Sequence, residues 1–155
     1  MAVPTTPRDV FHRLVEGVAR LVAGDTAQVD VLADLYAENT HVSHPMSPLG
    51  NEPLRTRDAL RKHFAEGPGR HDGELTEFHA DDITVHETTD PEVVVAEFRY
   101  HGRVHGRPFA VPCVFVLRVR DGRIVESRDY TDHLTFARIG GGLDGLFEAL
   151  RAADR

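Results

Sequence analysis

From Glu74 to Asp132 the apolar residues recur at every second position. Successive strand side chains point to opposite faces, so this period predicts strands and excludes helix over the whole stretch. Turn signals at Thr88-Thr-Asp-Pro91, His105-Gly106 and Asp121-Gly122 cut it into four strands, expected at 74–87, 92–104, 107–120 and 123–132. Asp-Gly is the strongest short hairpin signal, because a type I′ turn needs positive φ at both central residues. An antiparallel meander follows. In its third strand Phe109, Val111, Cys113, Phe115, Leu117 and Val119 share one face, and Ala110, Val114 and Val116 share the other. Both faces are therefore expected to be covered. Pro112 cannot donate to a ladder and belongs at a bulge or an edge.

The chain ahead of the meander has helical periods. Thr6-Pro7 with Asp9 is a helix start. Val10, Phe11, Leu14, Val15, Val18, Leu21 and Val22 then recur at three- and four-residue steps, and Gly24 ends the helix. A second helix is expected from Asp25 or Thr26, with Val29, Leu32, Leu35 and Tyr36 on one side, ending in Leu35-Tyr-Ala-Glu-Asn-Thr40. His41-Val-Ser-His44 reads as short and extended. Pro45, Pro48, Gly50 and Pro53 make a loop. Thr56 caps a third helix whose buried stripe is Ala59, Leu60, His63 and Phe64, stopped by Gly67-Pro-Gly69. Past His133, Gly140-Gly-Gly142 leads into a short amphipathic helix with Leu143, Leu146, Phe147 and Leu150.

Helices first and strands after is the order of an α+β fold. A long, strongly curved antiparallel sheet wrapped around the N-terminal helices would leave a conical cavity open at one end. One domain, 1–155, is expected, since 155 residues are too few for two comfortable cores.

Charge narrows the partners. The net charge is −7 with a pI near 5.8, which argues against nucleic acid and anionic membrane surfaces. Runs such as Val93-Val94-Val95-Ala96 are far too short to span a bilayer. Met1-Ala-Val-Pro-Thr-Thr-Pro7 has no basic n-region and no apolar h-region, and a single cysteine, Cys113, fits a reducing compartment. A cytoplasmic protein is expected.

The last strand carries the chemistry. Alternation puts Val125, Ser127, Asp129 and Thr131 on one face and Ile124, Glu126, Arg128 and Tyr130 on the other. If the first set faces in, Asp129 is a carboxylate inside an apolar sheet, and desolvation should raise its pKa. The alternative is that it lies at the surface or pairs with an arginine. Arg99 is the rival partner, but alternation in the second strand turns Phe98 and Tyr100 inward and Arg99 outward.

Leu35-Tyr-Ala-Glu-Asn-Thr40, the His44-Pro loop, Leu54-Arg-Thr-Arg-Asp-Ala-Leu60 and Asp121-Gly-Arg-Ile-Val-Glu-Ser-Arg-Asp-Tyr-Thr-Asp132 resemble, in that order, the SnoaL-like proteins. These share a cone-shaped α+β barrel with ketosteroid isomerase and limonene epoxide hydrolase. The resemblance covers about 8–138, leaving 139–155 as an extension. It implies a catalytic role for Asp129, the aspartate of Arg-Asp-Tyr, and matches His44 to a water-binding asparagine of the epoxide hydrolase. That enzyme also uses an Arg-x-Asp pair on the second strand, where this chain reads Ala96-Glu97-Phe98-Arg99-Tyr100. In SnoaL-type cyclases an aspartate is the base on a C–H flanked by carbonyls, and proteins of this family often dimerise through the outer sheet face.

The expected site is therefore Asp129 as base with His44 as proton carrier. Tyr36, His63, Phe98, Tyr100, Val111, Cys113, Phe115, Ser127 and Phe136 would line the cavity. Each has a plainer alternative: His44 as a loop residue capping backbone groups, His63 as a satisfied core histidine, the tyrosines as core edges, Cys113 as an inert thiol. The ten histidines show no metal-ligand spacing, and no cofactor signature is present. The expected ligand is small and largely apolar, a polyketide-like carbonyl compound, and the expected assembly is a homodimer. A non-catalytic binding or assembly domain is the competing reading.

Overall fold

The computed structural model describes residues 5–67 and 74–155. The elements run α1 (Pro7–Val22), α2 (Gln28–Ala33), β1 (Tyr36–Ser43), β2 (Leu54–Thr56), α3 (Arg57–Glu66), β3 (Leu75–Glu87), β4 (Val93–Val104), β5 (Arg107–Arg120), β6 (Arg123–Thr131), α4 (His133–Ile139) and α5 (Leu143–Ala153). This is the expected α+β class. One six-stranded sheet in the order β2-β1-β6-β5-β4-β3 curves over the helices.

The meander follows the predicted boundaries within a residue or two. Its two tight hairpins have the expected turn geometry, with positive φ at Asp121 and Gly122 and at His105 and Gly106. Register irregularities between Thr76 and His79 and between Asp81 and Thr84 interrupt the β3–β4 ladder. Glu77 and Asp82, inside them, have positive φ. Such bulges bend a strand and strengthen its twist, which is how a long edge strand comes to curl. Pro112 sits in β5 opposite Arg99. Its carbonyl accepts from the Asp132 N–H, just past the end of β6. The nitrogen points to the same side as that carbonyl, so the missing donor falls where the neighbouring strand has run out.

Two expectations need correction. The stretch Leu35–Thr40 does not end a helix. The second helix stops at Ala33, and Tyr36–Ser43 is a strand. It pairs parallel to β6, with Tyr36 opposite Ile124 and Val42 opposite Ser127, and Thr40 Oγ1 donates to the Ile124 carbonyl. Leu35 and Tyr36 are buried as the helical period suggested, but they reach the core from extended backbone. Asn, Thr and Val are middling helix formers, and a free strand edge outcompeted them. The sheet is consequently mixed, not purely antiparallel. In β6, the register shifts between Arg118 and Val119, so that Glu126 and Ile124 face consecutive residues and Val125 is the extra one. Ile124 therefore turns to the core, 0% exposed, on the side of Ser127 and Asp129.

Helix α1 plugs the sheet. Thr6 and Asp9 form a reciprocal capping box with Pro7 in the first turn. Phe11 meets Phe98 and Phe115 edge-on, with centroids 5.3 and 6.5 Å apart, and Phe98 meets Phe115 at 4.9 Å. These three rings fill the sheet's hollow beneath the helix. Thr56 caps α3 by accepting from Ala59 N; Leu60 and Phe64 are its buried residues, while Ala59 and His63 are half-buried. Gly67 is its C-cap; Pro68 and Gly69, expected to complete the stop, lie outside the described residues, as do 1–4. The C-terminal helix forms as expected, but none of its residues is buried.

Because Phe98 fills space rather than bordering a void, Phe98→Ala should destabilise the fold by about 3–5 kcal/mol, the range for emptying a packed aromatic site. A urea midpoint lowered by less than about 1 kcal/mol equivalent would show that the ring borders open space instead.

Candidate active site

Strand β6 delivers the central group. Asp129 and Ser127 share its inward face and are 7% and 0% exposed. Ser127 Oγ donates to Asp129 Oδ1. Burial pushes the Asp129 carboxyl up to about 7, against the smaller opposing pull of that hydrogen bond. Arg99 is exposed on the opposite face of β4, as alternation required. Among the described residues, the group within ion-pair reach of Asp129 is a histidine.

That histidine is His44. The parallel register sets Ser43 opposite Arg128, so the next residues on the two strands, His44 and Asp129, are also neighbours. Nε2 lies 3.8 Å from Oδ2, within ion-pair range and beyond a hydrogen bond. Desolvation wins over their attraction. Burial draws the imidazole down to about 4, helped by His63 and His133 beside it. Between about pH 4 and 7 the carboxyl holds the proton and the imidazole is neutral; above 7 a carboxylate faces a neutral imidazole.

Three elements bring three histidines together. His63 comes from α3, above the buried Leu60 and Phe64, with its ring 5.6 Å from that of His44. His133, the first residue of α4, lies 6.2 Å from His44, edge to face. Burial depresses the pKa of both. The Nε2 of His133 is buried without a hydrogen-bond partner. Sequence reading missed this residue. The signal was there: the inward period of Ser127, Asp129 and Thr131, continued one step past the strand, lands on it. No group of three or more His, Cys, Asp or Glu among the described residues is placed to hold a metal ion.

Aromatic and apolar side chains surround the polar cluster. Tyr36 and Tyr100 are buried, and burial together with the nearby Asp129 charge keeps both phenols protonated. Phe78 stacks on Tyr100 at 4.7 Å, and Phe136 meets Tyr100 at 6.3 Å. Cys113 has its thiol pushed up to about 12, mainly by burial, an inert side chain at neutral pH. Of the expected lining residues, Ser127 and His63 join Asp129 and His44. Tyr36, Tyr100, Cys113 and Phe136 flank them. Val111 is fully buried, and Phe98 and Phe115 belong to the packing under α1. An open cleft of about 630 Å³ lies nearby, between the β4–β5 hairpin and α4. Phe109 lines it and meets Phe136 edge-on at 6.4 Å, so it abuts the aromatic flank without touching Asp129.

Residues 12–127 match the model of the SnoaL-like domain. The chain belongs to the SnoaL-like family. The Bacillus subtilis protein YesE is 31% identical over 112 residues, which cover 70% of this chain and 74% of YesE. A PhzA/B-like protein of Pseudomonas aeruginosa is 32% identical over 74 residues, 46% of this chain and 52% of that one. A candidate isomerase from Bacillus subtilis has a similar structure, with a TM-score of 0.64, 25% identity, and coverage of 86% of this chain and 96% of its own. A protein with a ketosteroid isomerase-like fold from Catenulispora acidiphila gives 0.64 at 21% identity, covering 88% and 95%. The SnoaL-like fold is thereby shown.

The raised carboxyl makes stability depend on pH. A free aspartate ionises near 3.8 and this one near 7, so the fold favours the protonated acid. That advantage is complete below about 4 and is lost as pH rises through 7. His44 acts oppositely: its depressed pKa favours the fold above 6.5, and the benefit is lost as pH falls through about 4. Asp129→Asn removes only the first dependence. Its melting temperature relative to the parent should be nearly unchanged at pH 4 and should climb to a plateau above 7, worth up to about 4 kcal/mol. A difference independent of pH would show that Asp129 ionises normally.

Proposed function

We propose that this SnoaL-like protein binds a small, largely apolar carbonyl compound and catalyses proton transfer on it, as a polyketide cyclase or an isomerase does, with Asp129 as the base. One observation carries the reading: a buried carboxyl that burial raises to about 7, with neutral imidazoles and, among the described residues, no guanidinium beside it. A general base works best when its pKa lies near the working pH. Above about 7 the Asp129 carboxylate takes a proton from a carbon flanked by carbonyls. The C–H electron pair moves into a C=C bond, and a carbonyl oxygen takes the negative charge. Return of the proton to another carbon is an isomerisation; attack of the carbanion on a second carbonyl closes a ring, its C=O π pair moving onto oxygen, which takes the proton back from Asp129. His44, neutral and 3.8 Å away, relays the proton. The outward Arg99 argues against an epoxide hydrolase, whose carboxylate needs an orienting arginine. The chemistry requires no metal or cofactor, and we assign none. The free, buried Cys113 supports a cytoplasmic setting; among the described residues no helix is long and apolar enough to cross a membrane.

A second reading has its own support. Phe11, Phe98 and Phe115 fill the bottom of the cone, which suits a domain that binds a ligand shallowly without transforming it. Asp129→Asn separates the two. If Asp129 is the base, deuterium exchange at the acidic carbon of a β-dicarbonyl compound, followed by NMR, should fall by about 10²–10⁴-fold with binding nearly unchanged. Equal exchange rates in the parent and the variant would leave a binding module.

The outer sheet face supports a homodimer. Val93, Val95, Val114 and Val116 lie there, only half-buried, a contiguous apolar strip on the side away from α1. Light scattering at micromolar concentration should give twice the chain mass; a monomeric mass would refute the assembly.

A further inference from the structure

We propose that the open cleft between the β4–β5 hairpin and α4 is a binding site for organic monocarboxylates with a slender apolar body, whose carboxylate is held by Arg107 and Arg138. The cleft measures about 630 Å³, within the range of small-molecule sites. It is separate from the polar cluster, since Asp129 is not among the residues that line it. It opens to solvent, so a ligand reaches it without any part of the fold moving.

Each wall carries a permanent cation. Arg107 is the first residue of β5, and Arg138 lies in the last turn of α4. Among the described residues, neither guanidinium has a carboxylate within ion-pair range. The acids around them are engaged. Glu77 takes Arg103 and Glu74 takes His105, each at 2.8 Å, and Asp132 caps α4 by accepting from Thr135 N and Oγ1. The chain has a net charge of −7, so the molecule as a whole repels anions. Two unneutralised guanidiniums on one cleft reverse that field locally. Arginine stays charged at any pH at which the chain folds, and its planar fork matches the two oxygens of a carboxylate.

Apolar side chains floor the cleft, among them Val104, Phe109 and Ile139. The Phe109 ring is held from behind. It pairs across the ladder with Gly102, where a Cβ would come within 2.8 Å of its Cζ. Glycine therefore lets the ring lie back against β4, and any side chain at 102 would press it outward into the cleft. Phe78 and Phe136, each with its centroid 6.4 Å away, support the ring's other sides. An apolar body lying along Phe109 and Ile139, with its carboxylate between the two arginines, uses both features. A bare anion leaves the floor uncovered, and an uncharged chain leaves the guanidiniums without a partner.

The test is calorimetric titration of the full chain at pH 7.5, where carboxylates are ionised. The probes are octanoate, octan-1-ol, acetate and inorganic phosphate. Octanoate should bind saturably, one per chain, and about tenfold or more tightly than each of the other three. Shortening it should weaken binding by up to about fourfold for each methylene removed. In a ¹⁵N-labelled sample the amide resonances of Phe109 and Ile139 should move with octanoate. Arg107→Gln and Arg138→Gln should each weaken octanoate about three- to tenfold. Both side chains are exposed, so the melting temperature should hold, and octan-1-ol should bind as before. Gly102→Ala should also weaken octanoate, because the displaced Phe109 ring takes up part of the cleft. Octanoate bound no more tightly than octan-1-ol would overturn the proposal. So would phosphate bound as tightly as octanoate, an affinity unchanged in the double arginine variant, or no saturable binding at all. The outcome is independent of the proton-transfer reading, because no arm measures turnover and no variant alters the Asp129 cluster.

Discussion

The parallel pairing of β1 with β6 is the constraint on which the rest of the site depends. In every other strand pair of this sheet the neighbours run antiparallel. An antiparallel β1 would have brought His44 to the opposite end of β6 from Asp129. Parallel pairing carries both strands to the same end together, so that the residue after Ser43 arrives beside the residue after Arg128. The same pairing makes β6 an interior strand. Its inward carboxylate is then covered from both sides, and water cannot discharge the cost of burying it.

That cost governs the chemistry. The arginines near the site are engaged elsewhere. Arg118 pairs with Asp90 and Glu92, Arg120 with Glu92, and Arg128 with Glu126, all on or near the outer face. Exposed pairs of this kind contribute little to stability. Among the described residues, no arginine pairs with the Asp129 carboxylate. A single inward guanidinium would hold Asp129 ionised at every physiological pH. Desolvation alone, with imidazoles that are themselves driven neutral, yields instead a carboxyl that exchanges protons near 7.

Packing divides the cone into two parts. Under α1, the Phe11, Phe98 and Phe115 rings interlock edge-on and close the narrow end. Toward α4 the aromatics Phe78, Tyr100, Phe109 and Phe136 form a second group, next to an open cleft. Packing at one end holds the strands in register; the other end carries the polar cluster of Asp129, Ser127 and the three histidines.

The sequence by itself determined everything that local periodicity and turn chemistry control. The four long strands, the two type I′ hairpins, the capped first and third helices, the inward face of β4 and the inward position of Asp129 all follow from residues a few positions apart. The direction of the Asp129 shift followed as well, since it needs only an apolar face and an outward Arg99. Tertiary structure decided the rest. Tyr36–Ser43 became a strand because a distant edge of β6 offered hydrogen bonds that its own helical period could not match. Ile124 turned inward because a bulge at Val125 broke the alternation from which its face was read. His44, His63 and His133 met because three elements far apart in sequence converge on one carboxylate, and no local pattern records such a meeting. Phe98 and Phe115 became core rather than cavity wall because α1 inserts Phe11 between helix and sheet, a matter of how closely two layers approach, which side-chain alternation along one strand does not encode.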